Sequence, residues 1–236
     1  MFRRARHNTI AALLSLLDSK QLQTHKFYFG GGTAMALLNG EYRTSFDVDF
    51  LVSDDSCYSE LRFQVKAQEL LSLFRPEARA LVRSSPAKVD QYGIRARLAF
   101  LDSEIKFEIV KEGRIELATP SKKDEISGVA TLSDTDLIAE KLLANSDRHQ
   151  DPGVFSRDII DLAFAPISNL LIHPGFKKAE AAYGKTIALD VLTATENLMN
   201  SPRLERAIAV LEIDSSPALL RQRLNNLRAA LLEDLG

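Results

Sequence analysis

Asp47 and Asp49 stand two apart inside the apolar run Phe46-Asp47-Val48-Asp49-Phe50-Leu51-Val52. On a strand, side chains alternate, so both carboxylates fall on one face, roughly 6–7 Å apart, while Val48 and Phe50 point into a core. Two such acids repel each other, and a divalent cation relieves the repulsion. Mg²⁺ (or Mn²⁺) suits the task, because it takes oxygen ligands and is held by a few carboxylates together with substrate phosphates. Upstream lies Gly30-Gly31-Gly32-Thr33. A glycine turn that enters a helix offers backbone N–H groups and the positive end of a helix dipole, which suits the phosphates of a nucleotide. Thr33 adds a hydroxyl. Taken singly, a triple glycine is more often a flexible turn, and Asp-x-Asp is more often a solvated strand edge. In this order, with a short helix between them, they point to metal-dependent chemistry at a phosphate.

Further groups could join them. Lys141, Ala144 and Arg148 fall near one helix face, and Asp158 and Asp161 share a face of the next helix at i, i+3. A lysine beside a nucleotide would neutralise phosphate charge. The competing reading is an ion-pair network between helices. On Glu104-Ile-Lys-Phe-Glu-Ile-Val110, alternation puts Ile105 and Phe107 on one face and Glu104, Lys106 and Glu108 on the other. Glu108, mid-strand, is the candidate for a third carboxylate; an exposed charged face explains it equally well. Arg95, Arg97, Lys122, Lys123, Arg148 and Arg157 could form a strip facing RNA, although solvated surface accounts for each one singly.

Those groups need elements to hold them. Residues 5–20 carry Ile10, Leu13, Leu14 and Leu17 at helical spacing. Lys26–Phe29 reads as a short strand, Thr33–Leu38 as a short helix ending near Asn39-Gly40, and Phe46–Val52 as a strand. Ser59–Phe74 reads as a helix. Arg79–Arg83, Tyr92–Leu101 and Glu104–Lys111 read as strands, the last two joined at Asp102-Ser103, and Ile115–Leu117 as one more short strand. After Gly128 the pattern changes. Ser133-Asp-Thr-Asp136 is a capping box opening a helix to about Asn145, and Phe155–Phe164 is a second helix. The stretches 176–199, 202–211 and 216–235 are helical and rich in Ala and Leu. The fold class is therefore α+β: a mixed sheet with flanking helices in residues 1–130, then a helical bundle in residues 131–236.

Composition narrows the partners. The chain has 236 residues, 45% of them hydrophobic, enough for real cores. A net charge of −2 is unlike many nucleic-acid binders, so any contact with RNA must be local. The single Cys57 cannot form an internal disulfide, and the four histidines lack zinc-ligand spacing. No apolar run is long enough for a membrane span and no signal-peptide core is visible, so the expectation is a cytoplasmic protein with no membrane partner.

Gly31-Gly32-Thr33, then thirteen residues, then Asp47-Val48-Asp49 resembles the Gly-Gly-Ser/Thr…Asp-x-Asp signature of the polymerase-β-like nucleotidyltransferase superfamily. The fuller form, Gly31-Gly-Thr-Ala-Met-Ala-Leu37 with Arg43-x-Ser45-x-Asp47-x-Asp49, is similar to the AbiEii/AbiGii abortive-infection toxin family of type IV toxin–antitoxin systems. Asp136-Leu-Ile-Ala-Glu-Lys141-Leu-Leu-Ala144, Arg148 and Arg157-Asp158-Ile-Ile-Asp161 follow in matching order, so the resemblance covers about residues 29–165. It implies a nucleotidyltransferase domain, with the helical domain contributing to its cleft. It implies that Asp47 and Asp49 bind Mg²⁺ or Mn²⁺, that Gly31, Gly32 and Thr33, with Arg43 and Ser45, bind the nucleotide, and that Glu108, Lys141 and Asp158 take catalytic parts. The implied reaction moves a nucleoside monophosphate from an NTP to a hydroxyl acceptor, RNA and tRNA first, in a toxin with a cognate antitoxin. The alternatives are a nucleotide-binding regulatory or interaction module with little turnover, and a nucleotidyltransferase acting on small molecules such as antibiotics.

Overall fold

The structure is a computed structural model and describes residues 1–167, 169–170, 173–200 and 202–232. The chain divides into two compact units, Met1–Ala34 with Phe46–Ser133, and Met35–Ser45 with Asp134–Gly236. The segment Met35–Ser45 thus belongs with the helical half, which a single cut near residue 130 does not describe.

The first unit is built on a mixed sheet. Its strands are β1 (Tyr28–Gly30), β2 (Val48–Val52), β3 (Arg83–Ser84), β4 (Lys88–Val89), β5 (Gly93–Phe100) and β6 (Ser103–Lys111). They lie in the order β1-β2-β6-β5-β3, and β4 also pairs with β5. The β2–β6 pair is parallel and the other pairs are antiparallel. One face is apolar because the alternation in β2, β5 and β6 agrees: Val48, Phe50, Ile94, Leu98, Ile105, Phe107 and Ile109 are all fully buried. Phe29, Phe50 and Phe107 form an aromatic row across it, with ring centroids 5.8 and 5.7 Å apart.

Several boundaries differ from the periodicity. The first helical stretch is two helices, α1 (Ala5–Ser15) and α2 (Ser19–Thr24), because Asp18 caps the second by accepting from Gln21 N at 3.1 Å. The glycines do not precede a helix but begin it: α3 is Gly31–Leu38. α4 (Asp55–Gln68) starts earlier than its apolar period, since Asp54 accepts from Ser56 N and Cys57 N, and it stops at Glu69, whose φ is 63°. Leu70–Leu73 and Pro76–Leu81 are 3₁₀ turns, the second replacing most of the strand expected at Arg79–Arg83; Pro76 pre-sets its first turn. Between β5 and β6 the turn is Leu101-Asp102, both at positive φ, closed by the pair Phe100 and Ser103. Ile115–Leu117 is not a strand. A hairpin of β7 (Glu125–Ile126) and β8 (Val129–Ala130) follows instead, turning on Ser127-Gly128.

The second unit is helical: α5 (Asp134–Arg148), α6 (Arg157–Phe164), α7 (Pro174–Tyr183), α8 (Thr186–Met199), α9 (Arg203–Leu211) and α10 (Pro217–Leu232). A break at Gly184 divides the helix expected over 176–199. Residues 233–235 of the last expected helix lie outside the described residues. α5 is the central helix and packs on α6, α7 and α8. With the sheet unit before it, this is the α+β arrangement expected from the residue pattern.

α7 meets α5 at a glycine. A Cβ on Gly175 would lie 2.5 Å from the Thr135 carbonyl oxygen and 2.8 Å from Ile138 Cβ. His173 caps α7 by accepting from Gly175 N, and Lys178 pairs with the buried Asp136 of α5. Gly175→Ala must therefore part the two helices and should lower stability by about 1–3 kcal/mol. Urea denaturation checks this against Gly113→Ala, whose new Cβ meets nothing within 4 Å.

Candidate active site

Gly30 ends β1 directly opposite Asp49 of β2. The next residue, Gly31, has φ of +68°, a conformation that L side chains rarely adopt, and it starts α3. A Cβ there would collide with Asp49 Oδ2 and lie 3.0 Å from Asp49 Cβ and 3.1 Å from its Cγ. The glycine motif and the acidic motif are thus one piece of geometry: the Asp49 carboxylate rests against backbone that a side chain would occupy. The first turn of α3, with its N–H groups not bonded within the helix, opens at the same point. Gly31 and Gly32 are half-buried, and Thr33 is fully buried. Asp47 is half-buried and lies one residue before β2 begins, so the strand reaches back to Val48 and not to Phe46.

Glu108 is the register partner of Asp49 on β6. Its carboxylate is held by Lys106 Nζ at 2.6 Å and lies 3.4 Å from Arg95 Nε. Arg95 and Arg97 are thus not an open basic strip: Arg95 also pairs with Asp90 at 3.1 Å, and Arg97 with Glu104 at 2.6 Å. Among the described residues no three His, Cys, Asp or Glu side chains group to hold a metal ion. The donor set still fits Mg²⁺ or Mn²⁺, which need only a pair of carboxylates when phosphates and waters complete the shell.

The second unit holds the other candidates. Lys141, 5% exposed, bridges two carboxylates, Asp158 at 3.0 Å and Asp161 at 2.6 Å. Asp158 also accepts from Arg148 Nε at 2.7 Å and Nη2 at 2.9 Å. Asp161, fully buried, accepts from Arg43 Nε at 2.6 Å and Nη2 at 2.9 Å, and from Tyr42 Oη at 2.6 Å. Ser45 ends the same segment, half-buried. The Tyr42 ring stacks on Phe164, centroids 4.4 Å apart, and the Arg223 guanidinium lies 4.7 Å from the Phe164 centroid. Burial pushes the Asp158 carboxyl up, but the charges of Lys141 and Arg148 more than reverse this and hold it below the usual carboxylate range. Asp161 is likewise raised by burial and brought below that range by Arg43 and Lys141. Burial and the adjacent Asp161 raise the Tyr42 phenol well above its ordinary value. Three cations (Arg43, Lys141, Arg148) thus converge on the two carboxylates.

The i, i+3 spacing placed Asp161 on the face of Asp158, but not as the hub that binds Arg43 and Lys141. The signal for that role was a second acid in a helix otherwise apolar after Asp158. Tyr42 gave none.

The model of the family described as "Nucleotidyl transferase AbiEii toxin, Type IV TA system" matches residues 13–234. The chain belongs to the AbiEii family. Among solved structures, the AbiEii chain is similar to JHP933 from Helicobacter pylori, at 18% identity and a TM-score of 0.52, with 99% of this chain and 93% of that one covered. A second Helicobacter pylori protein, whose nucleotidyltransferase activity is itself an assignment, matches at 16% identity and a TM-score of 0.50, covering 97% and 96%. At such identities these likenesses concern the fold. No curated protein matches significantly. Among the described residues no helix is long and apolar enough to cross a membrane.

Two outcomes follow from the geometry. Gly31→Ala has to move Asp49 or unwind the first turn of α3, and a loss of about 1–3 kcal/mol is expected in urea denaturation. Asp161→Asn removes the carboxylate that Arg43 pairs with and leaves Lys141 only Asp158, and should cost about 3–5 kcal/mol. Both buried aspartates ionise below their unfolded values. As pH falls, the unfolded chain therefore takes up protons first, and their stabilisation, complete above about pH 4, drains below it. Urea midpoints measured from neutral to acid pH should fall more steeply for the wild type than for Asp161→Asn.

Proposed function

We propose that this AbiEii protein is a Mg²⁺-dependent nucleotidyltransferase that moves a nucleoside monophosphate from an NTP to a hydroxyl of RNA, with tRNA the first acceptor to test. The observation that carries this reading is the contact between Gly31 backbone and the Asp49 carboxylate. It sets the start of α3 beside the Asp49 carboxylate, which supports reading the first as a phosphate site and the second as a metal ligand. Asp47 and Asp49 would hold the ion. When bound, Mg²⁺ supplies positive charge at the α-phosphate and its pyrophosphate leaving group. The N–H groups that open α3 at Gly31 and Gly32 would orient the phosphates. Glu108, in register with Asp49, would accept the proton of the attacking hydroxyl.

In the second unit, Lys141 is committed to Asp158 and Asp161, so its part would be to hold that cluster together. Arg148, half-exposed, is the member of that cluster able to meet an anionic phosphate. Arg43, buried against Asp161, supports the segment that leads to Ser45 and would act on the nucleotide through that support. Membership of a type IV toxin–antitoxin family supports a cognate antitoxin as partner and the cytoplasm as the place of action.

The test uses purified protein, Mg²⁺, total RNA and each NTP labelled at the α- or the γ-phosphate. We expect α label in RNA, no γ label, and complete loss in Asp49→Asn and after EDTA. Label from γ alone would make the reaction a kinase transfer. Alpha label on a small molecule would keep the chemistry and change the acceptor. Metal-dependent NTP binding with no label transferred would support the regulatory-module reading.

A further inference from the structure

Asp49 and Glu108 occupy opposite positions on neighbouring parallel strands. Like charges so placed repel. The same row of the sheet continues through Arg95 on β5 and Lys88 on β4, and two cations bear on Glu108. They are held differently. Arg95 has a second attachment: its Nη1 lies 3.1 Å from Asp90 Oδ2, and Asp90 accepts from Tyr92 N at 2.8 Å and Gly93 N at 3.1 Å. That chain of contacts ties Arg95 to the loop before its own strand. Lys106 is on Glu108's own strand, two residues away, with a side chain 48% exposed and its ammonium 2.6 Å from Glu108 Oε2. A lysine ammonium on a flexible stem can leave for water at little cost.

We propose that Lys106 is a stand-in cation. Its ammonium neutralises Glu108 while the site lacks metal, and it yields that place when a divalent ion reaches Asp49. Arg95, tethered by Asp90, remains and keeps Glu108 beside Asp49 as a positioning residue. The inference rests on the reading of Asp47 and Asp49 as ligands of a divalent metal. Its consequence is that a free ion must displace an existing cation to gain the full negative charge of the site. An ion arriving with nucleotide phosphates brings its own ligands and needs Glu108 less. Metal loading is thereby coupled to nucleotide binding.

The experiment is a Mn²⁺ titration of the full chain without nucleotide at low ionic strength, with free Mn²⁺ read by EPR. Lys106→Gln should bind Mn²⁺ more tightly, by on the order of fivefold, the upper range for a partly exposed ion pair. High salt should shrink the gain. In a Glu108→Gln background, Lys106→Gln should add nothing. Arg97→Gln, which removes a nearby cation paired with Glu104, should change affinity less. With nucleotide present, the Lys106→Gln advantage should narrow. Unchanged affinity in Lys106→Gln would overturn the stand-in role, and so would an equal gain in the Glu108→Gln background or in Arg97→Gln. Equal Mn²⁺ binding by wild type and Asp49→Asn would instead overturn the metal reading, and the role of Lys106 with it.

Discussion

The close approach of Asp49 to Gly31 is the constraint from which the arrangement of the first unit follows. A left-handed backbone at the first residue of a helix is tolerable for glycine and costly for other residues. Here it lets β1 end opposite Asp49 and α3 begin at once, with no loop between them. The helix start is therefore fixed against the strand that bears the acid. A longer connection would leave the N–H groups that open α3 and the carboxylate to find each other by loop motion, at an entropic cost per ordered residue. Thr33, two residues on from Gly31, is fully buried.

The second unit meets a different cost. Burying Lys141, Arg43, Asp158 and Asp161 removes several charges from water, a penalty that pairing offsets only when geometry is good and the remaining lone pairs are filled. Asp161 meets that condition by accepting from a guanidinium, an ammonium and a phenol. An apolar cluster of equal volume would serve stability as well or better. The charged cluster has a use that an apolar one lacks, because bidentate pairs fix which groups meet. It also binds Met35–Ser45 to helices far along the chain: Arg43 and Tyr42 reach α6, and Thr44 N donates to the Leu211 carbonyl of α9. The short helix that starts at Gly31 therefore leads straight into a segment held by this cluster.

Where periodicity and side-chain chemistry agreed, the sequence was readable. β5 and β6 alternate cleanly and were legible nearly to the residue; α5 was legible from its acidic first turn and apolar stripe. The misreadings share a cause, since each boundary is set by a backbone event that a hydrophobic pattern does not record. Glu69 stops α4 by adopting positive φ, Asp18 restarts a helix, and Leu101-Asp102 makes a turn usually given to Asn-Gly. The β7–β8 hairpin is two residues a side, too short for alternation to show. For the candidate site, Gly31, Asp49 and the Lys141–Asp158 pair were visible as residue types at a spacing. Their contacts were not, because which partner a buried cation takes depends on packing between helices distant in sequence. Arg43 illustrates this: nothing within the motif Arg43-x-Ser45-x-Asp47 says that its guanidinium will be spent on Asp161.

The polar face of the sheet gives the clearest distinction between a solvated surface and a site. Along one row stand Gly30, Asp49, Glu108, Arg95 and Lys88. A surface selected only for solubility would alternate signs across strands, since opposite charges attract and like charges repel at that spacing. Beyond Glu108 the row sets Arg95 against an acid and then Lys88, a second cation, opposite Arg95. Between Asp49 and Glu108 it breaks the rule, at the strand next to the bare backbone of Gly31. The cations Arg95 and Lys106 bear on Glu108 and limit that repulsion. Like charges held opposite each other cost the fold, and that cost is the ground for proposing a ligand at Asp49.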